Sequence, residues 1–386
     1  MFDTDEIPNL RESISKRIFA DKKLLEDLRN EVRPLVSDVQ IIRPRTATSI
    51  SLVASDGGNN QLVFDPFYVQ LVRVVDSYGK QLCLDVISHT TDTDKLSEEQ
   101  FNSDGTPRTA LGRMMIDLGV EPLLLSELSY MIPPGRKIRE NPEQISPSWV
   151  RVYRDLCEWA VLYEKICFQE FATNTLLVRD GLLRSLIFRD KYTQKWRKNV
   201  EEAIDRILKK DRKKVFLVGI AKHSKVYTRY QLALALEEIM PAGEARFVRV
   251  PRELEAKSYQ WEEYAQGAEI EDTGKVPRFV AGDMYLVRFG PMSNDPVWAV
   301  DLFSKQSPQA SEIFGYLLSD AINGFPIPYY PRCLQQAHEH AQIVQFDYDI
   351  LQDQIFNSIR DTIAHNKRGV MDALQLKYDV ANRRYE

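Results

Sequence analysis

The sequence is poor in cysteine and histidine and lacks any long apolar run. Its four cysteines show no Cys-x-x-Cys spacing, so buried free thiols in a reducing compartment are favoured over disulfides or a zinc site. Five histidines in 386 residues are too few for a histidine-rich metal store. No apolar run approaches the roughly 18 residues of a membrane span, and the acidic N-terminus lacks the apolar region of a signal peptide. We therefore expect a cytoplasmic protein without a membrane partner.

Positive charge is also in deficit. The formal net charge is −5, which argues against indiscriminate binding of nucleic acid but leaves room for a local basic groove. Hydrophobic residues make up 44% and charged residues 28% of the chain, as in globular proteins with a sizeable core. The length suits one elaborated domain or two.

Changes of pattern along the chain divide it into three parts. An amphipathic helix predicted over 11–36 places an N-terminal helical arm at 1–45. The main domain is expected over 46–345, with an insertion at about 91–150 that is first polar, then helical, then proline-rich. A C-terminal helical segment is expected over 346–386.

The order of elements in the main domain predicts its fold class. Three strand-like runs between 50 and 90 form an antiparallel meander with a turn at 77–80. A long helix, the strand "TLLVRDGLL", a basic helix over 184–212, the strand "KVFLVGIAK" and a further helix follow. This is the order of an RNase H-like α/β fold, a mixed sheet flanked by helices, in which the first strand is central and lies beside the fourth.

Two Asp-Gly pairs each end an apolar run. Asp56-Gly57 follows "SLVAS" and Asp180-Gly181 follows "LLVR". If the two strands are parallel neighbours, both carboxylates lie at one edge of the sheet, where they repel unless a cation lies between them. Mg²⁺ and Mn²⁺ prefer such oxygen ligands. The alternative is two ordinary Asp-Gly turns.

A third carboxylate is expected from the helix before the second pair. Asp155 and Glu158 are three residues apart and share a face, whereas Glu164 lies roughly opposite. Glu158 has apolar neighbours in the sequence, where an uncompensated charge is costly, so it is favoured over Glu164 as a metal ligand. The alternative for either residue is a solvated helix face.

Three further residues are candidates for the same chemistry. Lys222 ends a predicted strand, where its ammonium could hold a phosphate or stabilise developing negative charge. Tyr330 and His338 lie eight residues apart, about two helical turns, and His338 could ligate a metal or shuttle a proton. A surface lysine and a capped surface helix are the alternatives.

Basic residues are concentrated between 184 and 214, with Tyr192 and Trp196 among them. In an acidic protein such a segment is a candidate track for a phosphate backbone, and Lys195, Arg197 and Lys198 are its predicted nucleic-acid contacts. A solvated helix face is an equally good interpretation.

With these residues assembled, the sequence resembles the NurA nuclease family from about residue 50 to 345. The matching segments, in order, are "SLVASDGG", "TLLVRDGLL", "VFLVGIAKHSK" and "GFPIPYYPRCLQQAH". The chain departs from the family pattern in the 91–150 insertion and in Asp-Gly-Gly-Asn-Asn, which replaces the more usual Asp-Gly-Ser type.

The resemblance implies a metal-dependent DNA nuclease of the 5′–3′ exonuclease and single-strand endonuclease type. It implies Mn²⁺ (or Mg²⁺) as cofactor, a homodimer, and a HerA-type hexameric ATPase as partner in DNA end processing, repair or defence against foreign DNA. The family's catalytic positions fall on the residues already singled out, with metal ligands at Asp56, Glu158, Asp180 and His338 and further catalytic residues at Lys222 and Tyr330. The alternatives are a catalytically idle DNA-binding adaptor of a motor ATPase and a phosphatase on the same scaffold.

Overall fold

The computed structural model describes residues 6–46, 50–64, 67–259, 280–342 and 345–362. These residues form a nine-stranded mixed sheet flanked by helices, which confirms the α/β class. The strands are β1 (Gln40–Ile41), β2 (Ser51–Phe64), β3 (Phe67–Asp76), β4 (Gln81–Ile87), β5 (Thr175–Asp180), β6 (Val215–Ala221), β7 (Arg246–Arg249), β8 (Gly282–Arg288) and β9 (Val297–Phe303).

The strand order is β1-β7-β8-β9-β6-β5-β2-β3-β4. The predicted meander is present, because β2 pairs antiparallel with β3 and β3 with β4. β2 is also the parallel neighbour of β5, and β5 of β6. The first strand of the meander, β2, therefore lies inside the sheet. Its neighbour is β5, the fourth strand of the predicted order, as expected from the sequence.

The strand β2 runs further than the sequence predicts. Asp56 was expected to end it, but antiparallel pairing with β3 continues from Asp56 to Phe64. What stops near Asp56 is the parallel pairing with β5, whose last pair is Ser55 with Arg179. Asp56 is thus the first residue of β2 beyond its partner β5, and it lies inside a long hairpin and not in a turn.

The helices cover both faces of the sheet. They are α1 (Ile7–Ala20), α2 (Lys22–Val32), α3 (Thr93–Glu98), α4 (Ala110–Asp117), α5 (Leu125–Leu128), α6 (Gly135–Glu140), α7 (Trp149–Phe168), α8 (Asp190–Asp211), α9 (Lys225–Leu236), α10 (Arg252–Ser258), α11 (Ala310–Ala321), α12 (Arg332–Ala341) and α13 (Gln345–Thr362). Short 3₁₀ helices cover Arg33–Asp38, Pro142–Gln144 and Ser304–Gln309. None of the helices in the described ranges has the length and apolar character that crossing a bilayer requires.

Side chains that alternate along the strands form separate hydrophobic cores on the two faces of the sheet. In β5, Leu177 belongs to the core beneath α7 and α8, whereas Leu176 and Val178 belong to the core beneath α11 and α12. Successive side chains of a strand point to opposite faces, so a strand that is apolar throughout fills both cores. The helices of the 91–150 insertion contribute to the first core through residues such as Leu111 and Leu125.

The N-terminal segment is divided differently from the prediction. The helix expected over 11–36 is two α-helices followed by a 3₁₀ turn that begins just before Pro34. Arg29 and Arg33 of this segment pair with Glu237, at the end of α9, and β1 pairs with β7 at the sheet edge. Of the three helices described in this segment, α1 is the one without a buried residue, so among them α1 has the character of an arm.

Candidate active site

Three neighbouring parallel strands, β2, β5 and β6, each have a polar side chain at the same end of their shared pairing. Asp56 follows the last pair between β2 and β5. Asp180 is the last residue of β5, and Lys222 directly follows β6. The predicted convergence of these residues therefore results from parallel pairings that stop close together, although β2 itself continues.

His338 approaches this edge from α12, which packs across β2. Its Nδ1 lies 2.7 Å from Asp56 Oδ2, and its Nε2 lies 2.9 Å from Gln342 Nε2. The Gln342 amide occupies Nε2, so Nδ1 is the ring nitrogen that faces the Asp56 carboxylate.

Asp180 has a cation beside it. Lys222 Nζ donates to Asp180 Oδ2 at 2.9 Å and lies 5.7 Å from the centre of the Tyr330 ring. The Tyr330 hydroxyl is buried and has no hydrogen-bond partner among the described residues. Burial, followed by the charges of Asp180 and Asp56, raises the pKa of Tyr330 far above its usual range. The hydroxyl is thus a protonated, unused donor next to two carboxylates.

Asp56, Asp180 and His338 form a group suited to one metal ion. Their ligand atoms all lie within 4.8 Å of one another. Burial and then the charge of Asp180 raise the pKa of Asp56, against the opposing effects of His338 and Lys222. A cation would relieve this repulsion, so the donor set and its electrostatics both fit the metal predicted from the sequence.

Glu158 lies beside this group but faces two arginines. Its Oε2 accepts from Arg179 Nη2 at 3.2 Å, and its Oε1 lies 3.3 Å from Arg154 Nε. It is not a member of the three-residue group, although its carboxylate lies against Gly57, the residue after Asp56. Burial raises the pKa of Glu158 to about 8 despite the two guanidinium groups.

The two other helix carboxylates have different surroundings. Glu164 pairs with Arg113 of the insertion at 3.1 Å, and Asp155 pairs with Arg179 at 3.3 Å. Glu158 is therefore the helix carboxylate in contact with the Asp56 segment, and its role as a metal ligand stays a prediction.

The glycines after Asp56 have a role other than the turn expected from the sequence. A Cβ on Gly57 would lie 2.1 Å from Glu158 Oε1, and one on Gly58 would lie 2.2 Å from the carbonyl oxygen of Ala341. They allow α7 and α12 to approach β2 closely. Gly181, in contrast, has φ +110° and does make a turn.

The basic segment differs from its prediction in part. Tyr192 and Trp196 are buried, and Trp196 packs edge-on against Trp159 at 4.8 Å, so neither ring is available to stack on a base. Arg184 is buried in ion pairs with Asp301 and Glu255. Such alternation of apolar and basic residues is equally the pattern of an amphipathic helix.

The predicted nucleic-acid contacts lie on the outer side of α8. Lys195 and Lys198 are exposed and Arg197 is half-buried. Lys198 has one long i,i+4 contact, 3.9 Å from Glu202. The part of the basic track that these three residues represent is accessible, and its binding of DNA stays a prediction.

Two residues near the site were not singled out from the sequence. Arg179 holds Glu158 and stacks over Trp159 at 4.7 Å, and Gln342 contacts His338 Nε2 at 2.9 Å. A charged residue inside the apolar run "TLLVRD" was a usable signal for Arg179, because a buried charge needs a partner. No comparable signal marks Gln342.

Comparison with known proteins shows similarity to solved structures. No family model and no curated protein matches the chain. The chain is similar to NurA nuclease structures. The NurA nuclease from Sulfolobus solfataricus covers 94% of this chain and 99% of its own, at 14% identity and a TM-score of 0.38. A NurA structure bound to dAMP and manganese covers 96% and 100%, at 13% identity and a TM-score of 0.40.

These structures are of the family that the sequence resembles. Their identities of 13–14% and TM-scores of 0.40 or less are too low to carry a functional argument. The function of this chain is therefore inferred from its own side chains around Asp56 and Asp180.

Proposed function

We propose that this protein is a metal-dependent deoxyribonuclease. The observation that carries the proposal is the convergence of Asp56, Asp180 and His338, whose ligand atoms lie within 4.8 Å of one another. Two carboxylates and an imidazole suit Mn²⁺, and Mg²⁺ through the oxygen atoms. Bound there, such an ion would lower the pKa of a coordinated water and stabilise the leaving oxygen of a phosphodiester.

The other side chains of the cluster suit a phosphodiester substrate. The Lys222 ammonium, held 2.9 Å from Asp180, is placed to bind a phosphate oxygen and to stabilise negative charge as it develops. The Tyr330 hydroxyl, unpaired within the described ranges, can donate to another phosphate oxygen. His338 faces the cluster through Nδ1, since Gln342 occupies Nε2.

A polymeric substrate accounts for the basic side chains of α8 better than a small phosphoester does. Lys195, Arg197 and Lys198 lie on one helix, and a phosphate backbone offers charges in series. With the sequence resemblance, this supports DNA as the substrate and activity of the 5′–3′ exonuclease and single-strand endonuclease type. We place the reaction in the cytoplasm, in DNA end processing, repair or defence.

The proposal includes a homodimer that works with a HerA-type hexameric ATPase. The sequence resemblance implies both, and α1 offers a surface for association, since Ile18 and Phe19 are 66% and 75% exposed. Light scattering should give a dimer mass at micromolar concentration, and the ATPase should co-elute. The double substitution Ile18→Ser, Phe19→Ser should weaken the homodimer, the complex with the ATPase, or both. A monomer mass would contradict the proposed dimer, and separate elution would contradict the proposed binding to the ATPase.

The test of the activity is cleavage of end-labelled DNA. We expect single- and double-stranded DNA to be cut in Mn²⁺ and to stay intact in EDTA. Asp180→Asn should be inactive, and Asp205→Asn, which removes a carboxylate from a surface pair with Lys305, should cut like the parent. DNA binding without cleavage in Mn²⁺ or Mg²⁺ would make the protein an adaptor and overturn the proposal.

A further inference from the structure

A second group of metal-ligating side chains lies between β4 and α7. Cys83, Asp85 and Cys157 each offer a ligand atom, and these atoms lie within 4.8 Å of one another. The group shares no residue with the candidate active site. Cysteine spacing in the sequence favours free thiols, but the folded chain brings two of them to one carboxylate.

The backbone explains this convergence. Cys83 and Asp85 are two residues apart in β4, so their side chains leave the same face of the strand. Cys157 and Tyr153 are four residues apart in α7 and share a helix face. β4 is the edge strand of the sheet, and Cys83 and Asp85 are half-buried, so solvent reaches one side of the group while Cys157 is buried behind it.

The spacing of the donor atoms suits a small tetrahedral ion. Cys83 Sγ lies 3.5 Å from Asp85 Oδ2, and Cys157 Sγ lies within 4.8 Å of both ligand atoms. Zinc bonds of about 2.3 Å to sulfur and 2.0–2.2 Å to oxygen place tetrahedral ligands roughly 3.5–3.8 Å apart. The separation of Cys83 Sγ from Asp85 Oδ2 therefore matches that of two tetrahedral zinc ligands, and Cys157 lies near enough to supply a third.

A chain of hydrogen bonds supports the carboxylate. Tyr153 donates to Asp85 Oδ2 at 2.8 Å, Gln100 Nε2 lies 3.4 Å from the Tyr153 hydroxyl, and Thr109 donates to Gln100 Oε1 at 2.6 Å. Ligating carboxylates in metal sites have outer partners of this kind, which orient them.

We propose that Cys83, Asp85 and Cys157 form a site for a thiophilic divalent cation of the Zn²⁺ type. The ion would tie the edge strand β4 to α7, with a water in the fourth position. Binding displaces the thiol protons, so affinity should increase with pH. The site is independent of the proposed nuclease activity.

Cobalt substitution tests this site, because Co²⁺ bound to thiolates absorbs in the near ultraviolet through sulfur-to-metal charge transfer, whereas oxygen and nitrogen ligands give no such band. The full-length reduced protein is stripped with EDTA and titrated with Co²⁺. We expect the band in the parent, its loss on addition of Zn²⁺, and its persistence in an Asp56→Asn, Asp180→Asn variant that lacks the other group.

Cysteine variants assign the band to residues. Cys83→Ser should abolish it, and Cys167→Ser, which changes a half-buried thiol outside the group, should leave it unchanged. Asp85→Asn should weaken Co²⁺ affinity about tenfold or more. Because this variant keeps both cysteines, it tests the site even if Cys157→Ser does not fold. Absence of the band in the parent, or its persistence in Cys83→Ser, would overturn the proposal.

Discussion

His338 Nδ1 lies 2.7 Å from Asp56 Oδ2, although 282 residues separate them in the chain. This contact joins a strand near the start of the main domain to a helix near its end, and Asp180 completes the group from the middle of the chain. The site therefore depends on the whole sheet being assembled.

Neutralising either strand-edge aspartate should abolish cleavage and leave the fold intact. Asp56→Asn and Asp180→Asn each remove a ligand, and we expect a loss of more than about 100-fold in the Mn²⁺-dependent rate. In EDTA the free energy of unfolding should hold or rise by up to about 1 kcal/mol, because repulsion between the two carboxylates is relieved. Rates on labelled DNA and urea unfolding measure the two effects. Near-parental cleavage by either variant would show that the metal assignment is wrong.

The two glutamates of α7 should respond differently to neutralisation. Glu158→Gln should lower the cleavage rate by about 10- to 100-fold, since this carboxylate lies against the Asp56 segment. Glu164→Gln is the matched control, because Glu164 pairs with Arg113 instead, and its rate should stay within about twofold. Titration of the cleavage rate with Mn²⁺ should show a weaker affinity for the ion only for Glu158→Gln. Equal effects of the two substitutions would contradict the role of Glu158 in the site.

A methyl group at Gly57 should disturb Glu158. The added Cβ would lie 2.1 Å from Glu158 Oε1, so Gly57→Ala should cost about 1–3 kcal/mol of unfolding free energy. The cost should shrink when Glu158→Ala is present, because the overlapping atoms are gone. A double-mutant cycle by urea unfolding measures this coupling. Additive effects would mean that the strain at Gly57 arises elsewhere.

The outer side of α8 should hold DNA through its phosphates. Replacing Lys195, Arg197 and Lys198 with Ala should weaken binding, and the slope of log affinity against log salt should flatten by roughly one unit for each lost phosphate contact. Cleavage at saturating DNA should survive, since the strand-edge residues are untouched. Fluorescence anisotropy at several salt concentrations gives the slope.

The control for this experiment removes the same charge from another helix. Arg11, Lys16 and Arg17 are exposed on α1, and their replacement with Ala should leave the salt slope unchanged. If the α8 variant has the parental slope, α8 is a solvated face and DNA takes another path.

Local pattern in the sequence determined the elements and the residue types of the candidate site. The meander, α7, β5 and β6 follow from apolar periodicities, which neighbouring residues set by themselves. The polar residues Asp56, Asp180 and Lys222 stand out because each follows such a run, and the parallel pairing of β2, β5 and β6 then places them close together.

Only the tertiary structure decided how the side chains are paired. β2 continues past Asp56 because β3 pairs with it there, and Tyr192 and Trp196 are buried because α8 presents them to the core. The pairing of Glu158 with Arg179 and the meeting of Cys83 with Cys157 likewise join residues far apart in the chain. Such contacts depend on the packing of strands against helices, which no local pattern of residues specifies.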